Sequence, residues 1–447
     1  MNKTVFKDFT KYVSFNILGQ IAYSCYTLAD TFFVSASIGT NGLTALNLAF
    51  PIFCVISGIG LMVGIGGSTH FSILKSRKES KSADQTFTNA LMLVLFFASV
   101  FFFTGLFTSR HLVKILGADS QVFEITNIYL KVLMLFAPAF MCNHLLQCFV
   151  RNDGSPSLSM AAMITGSFSN IVLDYIFIFP LQMGIFGAAF ATGLSPVISM
   201  LVLLPYFIRK KNSFHLTAPD FAQIKRSAGK ILANGIPPFL TEAASGVVMF
   251  LFNFIILRIS GNVGVAAFGV ISVISLVVIS LYTGLSQGIQ PLISQNHGAE
   301  NKETIQTLLN YSLITSVILS IIIYGIIFFN APHLVSVFNS EQDILLADYA
   351  IPGLKIYFTA CPFIGFNIVL STYFISINQP LPAQIISILR SFFVLIPMAF
   401  LLSYFLGMTG VWLAYPLTEM LVFIFALTKR FLKFSYSKNN FPDKIKQ

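Results

Sequence analysis

Charge is what this chain lacks most. Only 10% of its 447 residues are charged, against about 25% in soluble domains, while 55% are hydrophobic and the mean hydropathy is +0.80. A soluble protein is excluded. Histidine is scarce and scattered: His70, His111, His144, His215, His297 and His333 stand singly, so an enzyme's convergent acid–base set is missing. The five cysteines, Cys25, Cys54, Cys142, Cys148 and Cys361, lie in or beside apolar runs without metal-ligand spacing. Packing is their expected role, with no disulfide framework. The net charge of +10 comes without a soluble basic domain, which removes nucleic acid as a partner. The first apolar run is long, holds Asn16, Gln20 and Asp30, and has no convincing small-residue cleavage site. It reads as a permanent span and not as a signal peptide.

What the chain has in abundance is apolar runs of about 20 residues, each able to cross ~30 Å of hydrocarbon as a helix. Twelve are expected, over 12–34, 44–72, 86–108, 121–148, 157–179, 184–208, 231–257, 264–293, 305–330, 346–376, 382–406 and 408–428. The fold class is therefore an all-α integral membrane protein. With the amino terminus inside, 21 of the 27 Lys and Arg residues fall in cytoplasmic segments, so both termini are expected in the cytoplasm of a plasma-membrane protein. Arg151 is counted in one of those segments.

Positions recur between the halves. Gly42 corresponds to Gly264 and Gly66 to Gly288 at an offset of 222, Pro138 and Pro156 to Pro362 and Pro380 at 224, and Gly184, Gly187 and Ala191 to Gly407, Gly410 and Ala414 at 223. Six spans per half make the halves parallel repeats about an axis along the membrane normal, with a substrate site between them and alternating access as the mode of action. The expected parts are an amino-terminal lobe, 1–208, a solvated cytoplasmic connector, 209–230, a carboxyl-terminal lobe, 231–431, and a cytoplasmic tail, 432–447.

Two acids stand inside the spans of the first half. Asp30 closes a stripe of Asn16, Gln20, Tyr23 and Thr27 whose 4-3-4-3 spacing sets every member on one helix face. Asp174 lies one turn after Asn170, and Ser167 one turn before that. Counted from the span ends, both acids sit within a turn of one level, which Thr192 also approaches. Carboxylates in hydrocarbon are costly, and two with no base beside them oppose each other's ionisation, which favours ion coupling over fixing helix register.

The runs Leu28-Ala-Asp30-Thr-Phe-Phe-Val-Ser35, Ala45-Leu-Asn-Leu-Ala-Phe-Pro51, Arg151-Asn-Asp-Gly-Ser-Pro156, Asn170-Ile-Val-Leu-Asp174 and Gly187-Ala-Ala-Phe-Ala-Thr192 resemble the multidrug and toxic compound extrusion (MATE) family, nearest its DNA-damage-inducible branch. The resemblance implies export of organic, often cationic and amphipathic, compounds in exchange for protons or sodium. It also implies an ion-binding cluster, carried over onto Asp30, Asn170, Asp174 and Thr192. Protons are favoured, because a sodium site needs more oxygen ligands than these four residues supply without backbone or water. No cofactor is expected, and the protein is expected to act as a monomer in the bilayer on a small-molecule substrate. One departure stands out: the family often has a proline about four turns before the first-span acid, where this chain has Phe15.

The carboxyl lobe offers further candidates. Glu242 shares a helix face with Ser245, Met249 and Asn253 and is a candidate for substrate contact in the cleft, alongside Gln20, Tyr23 and Thr27. Arg390 and Glu419 fall at equal depth on adjacent antiparallel spans, where a structural ion pair is the least costly way to hold either charge. The 48 Phe and 15 Tyr suit flat cations, but lipid-facing packing explains them without naming a site. The alternative function is a flippase for lipid-linked saccharides or lipids, which should show a more cationic central cavity.

Overall fold

The computed structural model describes residues 3–218, 221–339 and 343–428. The expected tail, 432–447, and the basic residues from Lys429 onward lie outside them, as do the side chains of Lys225 and Arg226. The described residues are helical almost throughout: α1 (Lys3–Ile38), α2 (Thr40–Ser76), α3 (Ser80–Ile115), α4 (Phe123–Leu135), α5 (Ala137–Asn152), α6 (Pro156–Ile178), α7 (Gly184–Ile208), α8 (Phe221–Gly298), α9 (Lys302–Phe338), α10 (Ile344–Tyr357), α11 (Cys361–Ser376), α12 (Pro380–Ile388) and α13 (Leu395–Leu427).

Twelve spans resolve from these helices once the breaks are placed. Pro138 opens α5 and removes the amide that would continue α4, so the fourth span bends by 45°. Its repeat partner Pro362 opens α11, after a 3₁₀ turn at Phe358–Ala360 divides the tenth span. The seventh and eighth spans are both within α8, reversed at Gly261, and α13 holds the end of the eleventh and all of the twelfth, reversed at Gly407. These turns repeat too. Gly39 and Gly261 have φ of 73° and 62°, Gly184 and Gly407 of 56° and 57°, a left-handed backbone that any side chain would strain. At Phe15, α1 runs on without a proline.

Faces turned away from the protein are apolar, with Phe107, Ile321, Phe329 and Phe405 well exposed, as lipid contact demands. Inside, one apolar core belongs to the amino-terminal half, from Val34 to Phe214 with Ile231 at its edge. A second, around Phe252, Tyr282, Trp412 and Tyr415, belongs to the carboxyl-terminal half. A third joins them: Phe9, Tyr12 and Val13 of α1 pack with Leu285, Ile289, Phe374 and Val422. That shared core lies at the end of the molecule where Lys3, Lys7, Lys11, Lys75 and Arg77 gather, here called the basic end.

The lobes close on each other toward this end. A Cβ added to Gly235 would collide with the Met62 carbonyl, and one added to Gly66 with the Ile231 carbonyl, so α2 and α8 touch backbone to backbone. Gly288 is also close, with the Val13 backbone 2.7 Å from where its Cβ would be. Hydrogen bonds between lobes run from Ser24–Ser280 (2.5 Å) at mid-depth through Arg151–Gln287 (2.6 Å) and Asn152–Gln290 (2.9 Å) to Gln295 Nε2 on the Asn152 carbonyl (3.0 Å). Arg151, counted from sequence among exposed basic residues, is thus 98% buried at the seam, with 2% exposure; the last turn of α5 carries it inward.

The link after α7 is also less free than a solvated connector. Phe214 inserts among Phe71, Phe87, Phe149 and Phe207. Asp153 anchors the same strap, accepting from Tyr206 (2.7 Å) and the Ser213 amide (2.8 Å) and pairing with Lys75. The chain is helical again from Phe221, so only the first part of 209–230 is a link.

Candidate functional site

Asp30 on α1 and Asp174 on α6 are both buried, at 7% and 0% exposure, and their carboxyl groups face each other within hydrogen-bonding range. Two carboxylate oxygens can hydrogen-bond to each other only with a proton between them. One oxygen of each acid, Oδ1, has no other partner. Asn170, oriented to satisfy both ends of its amide, donates to Asp174 Oδ2 (3.0 Å) and accepts from the Thr192 amide (3.3 Å). The Thr192 hydroxyl caps back onto the Ala188 carbonyl at 3.0 Å. The helices α1, α6 and α7 thereby bring the four sequence candidates, Asp30, Asn170, Asp174 and Thr192, into one cluster.

Two tyrosines complete it that sequence reasoning missed. Tyr26 of α1 and Tyr129 of α4, both buried, stand within electrostatic reach of the two acids, and Tyr129 also faces Thr192. Tyr26 precedes Asp30 by one turn, a spacing that could have flagged it. Tyr129 carries no local signal, because only the packing of α4 against α7 brings it there. Tyr23 rests edge-on against Tyr26 at 5.0 Å and faces Glu242 of the other lobe. Gln20 is buried on the same face of α1, and Thr27, half-buried, donates to the Tyr23 carbonyl at 3.0 Å.

Between the lobes lies a cavity of about 90 Å³ whose wall includes Arg151, Thr241, Glu242, Gln287, Thr372 and Arg390. Glu242 therefore reaches the cleft. Met249 and Asn253, about two and three turns further along α8 and both half-buried, are not part of that wall. Arg390 and Glu419 form an ion pair at 2.7 Å, closed by Asn367 Nδ2 on Glu419 Oε2, also at 2.7 Å. Arg390 sits in a π-helical turn, Leu389–Phe393, that swings it to the cavity while it holds Glu419. None of the five cysteines is in a disulfide.

A two-lobe bundle of twelve apolar helices, with a seam closed at one end and paired acids in one lobe, defines a membrane transporter of the alternating-access type. The comparisons place it further. The model of the MatE family matches residues 16–176 and 237–401, one block in each lobe, and the chain belongs to that family. Multidrug export protein MepA of Staphylococcus saprophyticus is 26% identical over 409 residues, covering 91% of this chain and 89% of that protein. MepA of Staphylococcus aureus strain MSSA476 is 25% identical over 407 residues, covering 91% and 89%. An outward-facing multidrug resistance MATE family transporter of the MOP superfamily superposes with a TM-score of 0.89 at 25% identity, over 96% of this chain and 95% of the other. A MOP superfamily transporter from Pyrococcus furiosus gives 0.88 at the same identity and the same coverage. The chain is a transporter and not an enzyme.

Proposed function

We propose that this protein is a multidrug exporter of the plasma membrane that exchanges organic, cationic or amphipathic compounds for protons by alternating access. The observation that carries the reading is the Asp30–Asp174 pair: two buried carboxyls facing each other with no base beside them, on a helix face that runs through Tyr26 and Tyr23 toward Glu242 in the cleft. With the basic end in the cytoplasm, as the distribution of Lys and Arg asks, the seam closed there makes this the outward-facing state. Substrate would then leave from the cavity as the acids take up a proton from outside. The exporters named above support this over a flippase.

Asp30→Asn and Asp174→Asn test it in vesicles. Both amides retain hydrogen bonding but cannot release a proton, so each should abolish efflux driven by a pH gradient while the protein stays in the membrane. Efflux at wild-type rate in both variants refutes the coupling site. Efflux driven by a sodium gradient with the pH gradient collapsed refutes proton coupling and reassigns the cluster to sodium.

A further inference from the structure

Arg151 is a buried cation without an acidic partner. Its Nη1 donates to Asn16 Oδ1 (3.1 Å) and Gln287 Oε1 (2.6 Å), its Nη2 to Cys148 Sγ (3.5 Å), and every one of these acceptors is neutral. Its Nε–H has no partner at all. Asp153, two residues on, is already engaged by Lys75, Tyr206 and Ser213, and among the described residues no ion pair includes Arg151. The other guanidinium of the cavity, Arg390, is neutralised by Glu419. An uncompensated charge taken out of water is unfavourable unless something of opposite sign visits it. Arg151 lies in the cavity wall opposite in sign to Glu242, one from each lobe.

The geometry points to Arg151 as the seat for one oxyanion group, a carboxylate above all, at the floor of the cavity between the lobes. The planar guanidinium fork matches a carboxylate. The cavity, about 90 Å³, is far below the ~300–1,000 Å³ of a drug-sized site, so it receives one functional group while the rest of the molecule extends toward the open end. A compound bearing both an acid and an amine would place the first on Arg151 and the second toward Glu242. Because Arg151 also ties Asn16 of α1 to Gln287 of α8, the anion would occupy the seam only while the basic end is closed. This inference deepens the export reading and rests on it for the identity of the cargo.

Two dyes that share a cationic ring system separate the cases: rhodamine B, with a free carboxylate, and its ethyl ester, without one. Both should slow in proteoliposomes when Arg151→Gln loosens the seam, and the informative quantity is the acid-to-ester ratio of kcat/KM. One lost charge-assisted bond predicts that this ratio falls about tenfold. Arg151→Lys, which retains the charge and loses the fork, should fall less, about threefold, and carries the test if the glutamine variant does not survive purification. A free inorganic anion is the other source of the same chemistry. In that case the ratio is unchanged, and inorganic phosphate alone raises the melting temperature of the purified wild type but not of the Arg151 variants. If the ratio is unchanged and phosphate stabilises wild type and variants alike, the seat is overturned and Arg151 only latches the lobes. If the wild type moves neither dye, the export reading fails instead, and the phosphate measurement still decides the seat.

Discussion

Removing one member of the Arg390–Glu419 pair should damage the protein more than removing both. Arg390 grips a single oxygen, Glu419 Oε1, through Nε at 3.1 Å and Nη2 at 2.7 Å, while Asn367 holds the other oxygen and the Glu419 backbone carbonyl at 2.9 Å. The carboxylate is completely buried and the guanidinium side chain only 10% exposed. Arg390→Ala leaves a charge in the carboxyl lobe with one neutral donor, and stranding a buried partner costs about 3–5 kcal/mol. Glu419→Ala strands the cation and also frees the Asn367 amide. Each single variant should therefore melt well below wild type in detergent and accumulate poorly in the membrane. The double variant Arg390→Met/Glu419→Leu, which keeps volume and removes both charges, should recover more than half of the loss. The assay is thermal melting of purified protein beside membrane abundance. Single variants that melt like wild type but do not transport would refute the reasoning, and would mean that Arg390 works on cargo through its place in the cavity wall.

Three further outcomes follow from the packing. Gly235→Ala sets a methyl against the Met62 carbonyl, and overpacking of about 1–3 kcal/mol should disfavour the closed basic end; a cysteine-accessibility probe at Ile231 should label faster than in wild type, and unchanged labelling would remove the backbone contact as a gate. Glu242→Gln keeps size and loses charge at the cleft, so export of cations should weaken several-fold more than export of neutral compounds, and equal loss for both would make Glu242 structural. Phe214→Ala takes a ring out of an aromatic nest closed by Phe71, Phe87, Phe149 and Phe207; a loss of about 3–5 kcal/mol should appear as lower melting and faster proteolysis of the link after α7, and wild-type resistance would show the strap to be incidental.

The twelve spans, the doubling of the lobes and the first-lobe acids were legible in the amino-acid order, because the bilayer imposes its thickness on every apolar run and makes any charge within one conspicuous. Spacing alone set Asn170 and Asp174 on one face, and equal depth alone paired Arg390 with Glu419. What only the tertiary structure decided is which groups from distant helices meet. Tyr129 joins the acids because α4 packs on α7. Arg151 looks like one more basic residue at a span end, yet the turn of α5 buries it between Asn16 and Gln287. The link after α7 is polar enough to read as solvated, yet Phe214 and the Ser213–Asp153 bonds pin it. The seam itself could not be read from either lobe: closure at the basic end depends on Gly66 and Gly235 letting two backbones touch, and a glycine's lack of a side chain says nothing of what it will approach until both helices are in place.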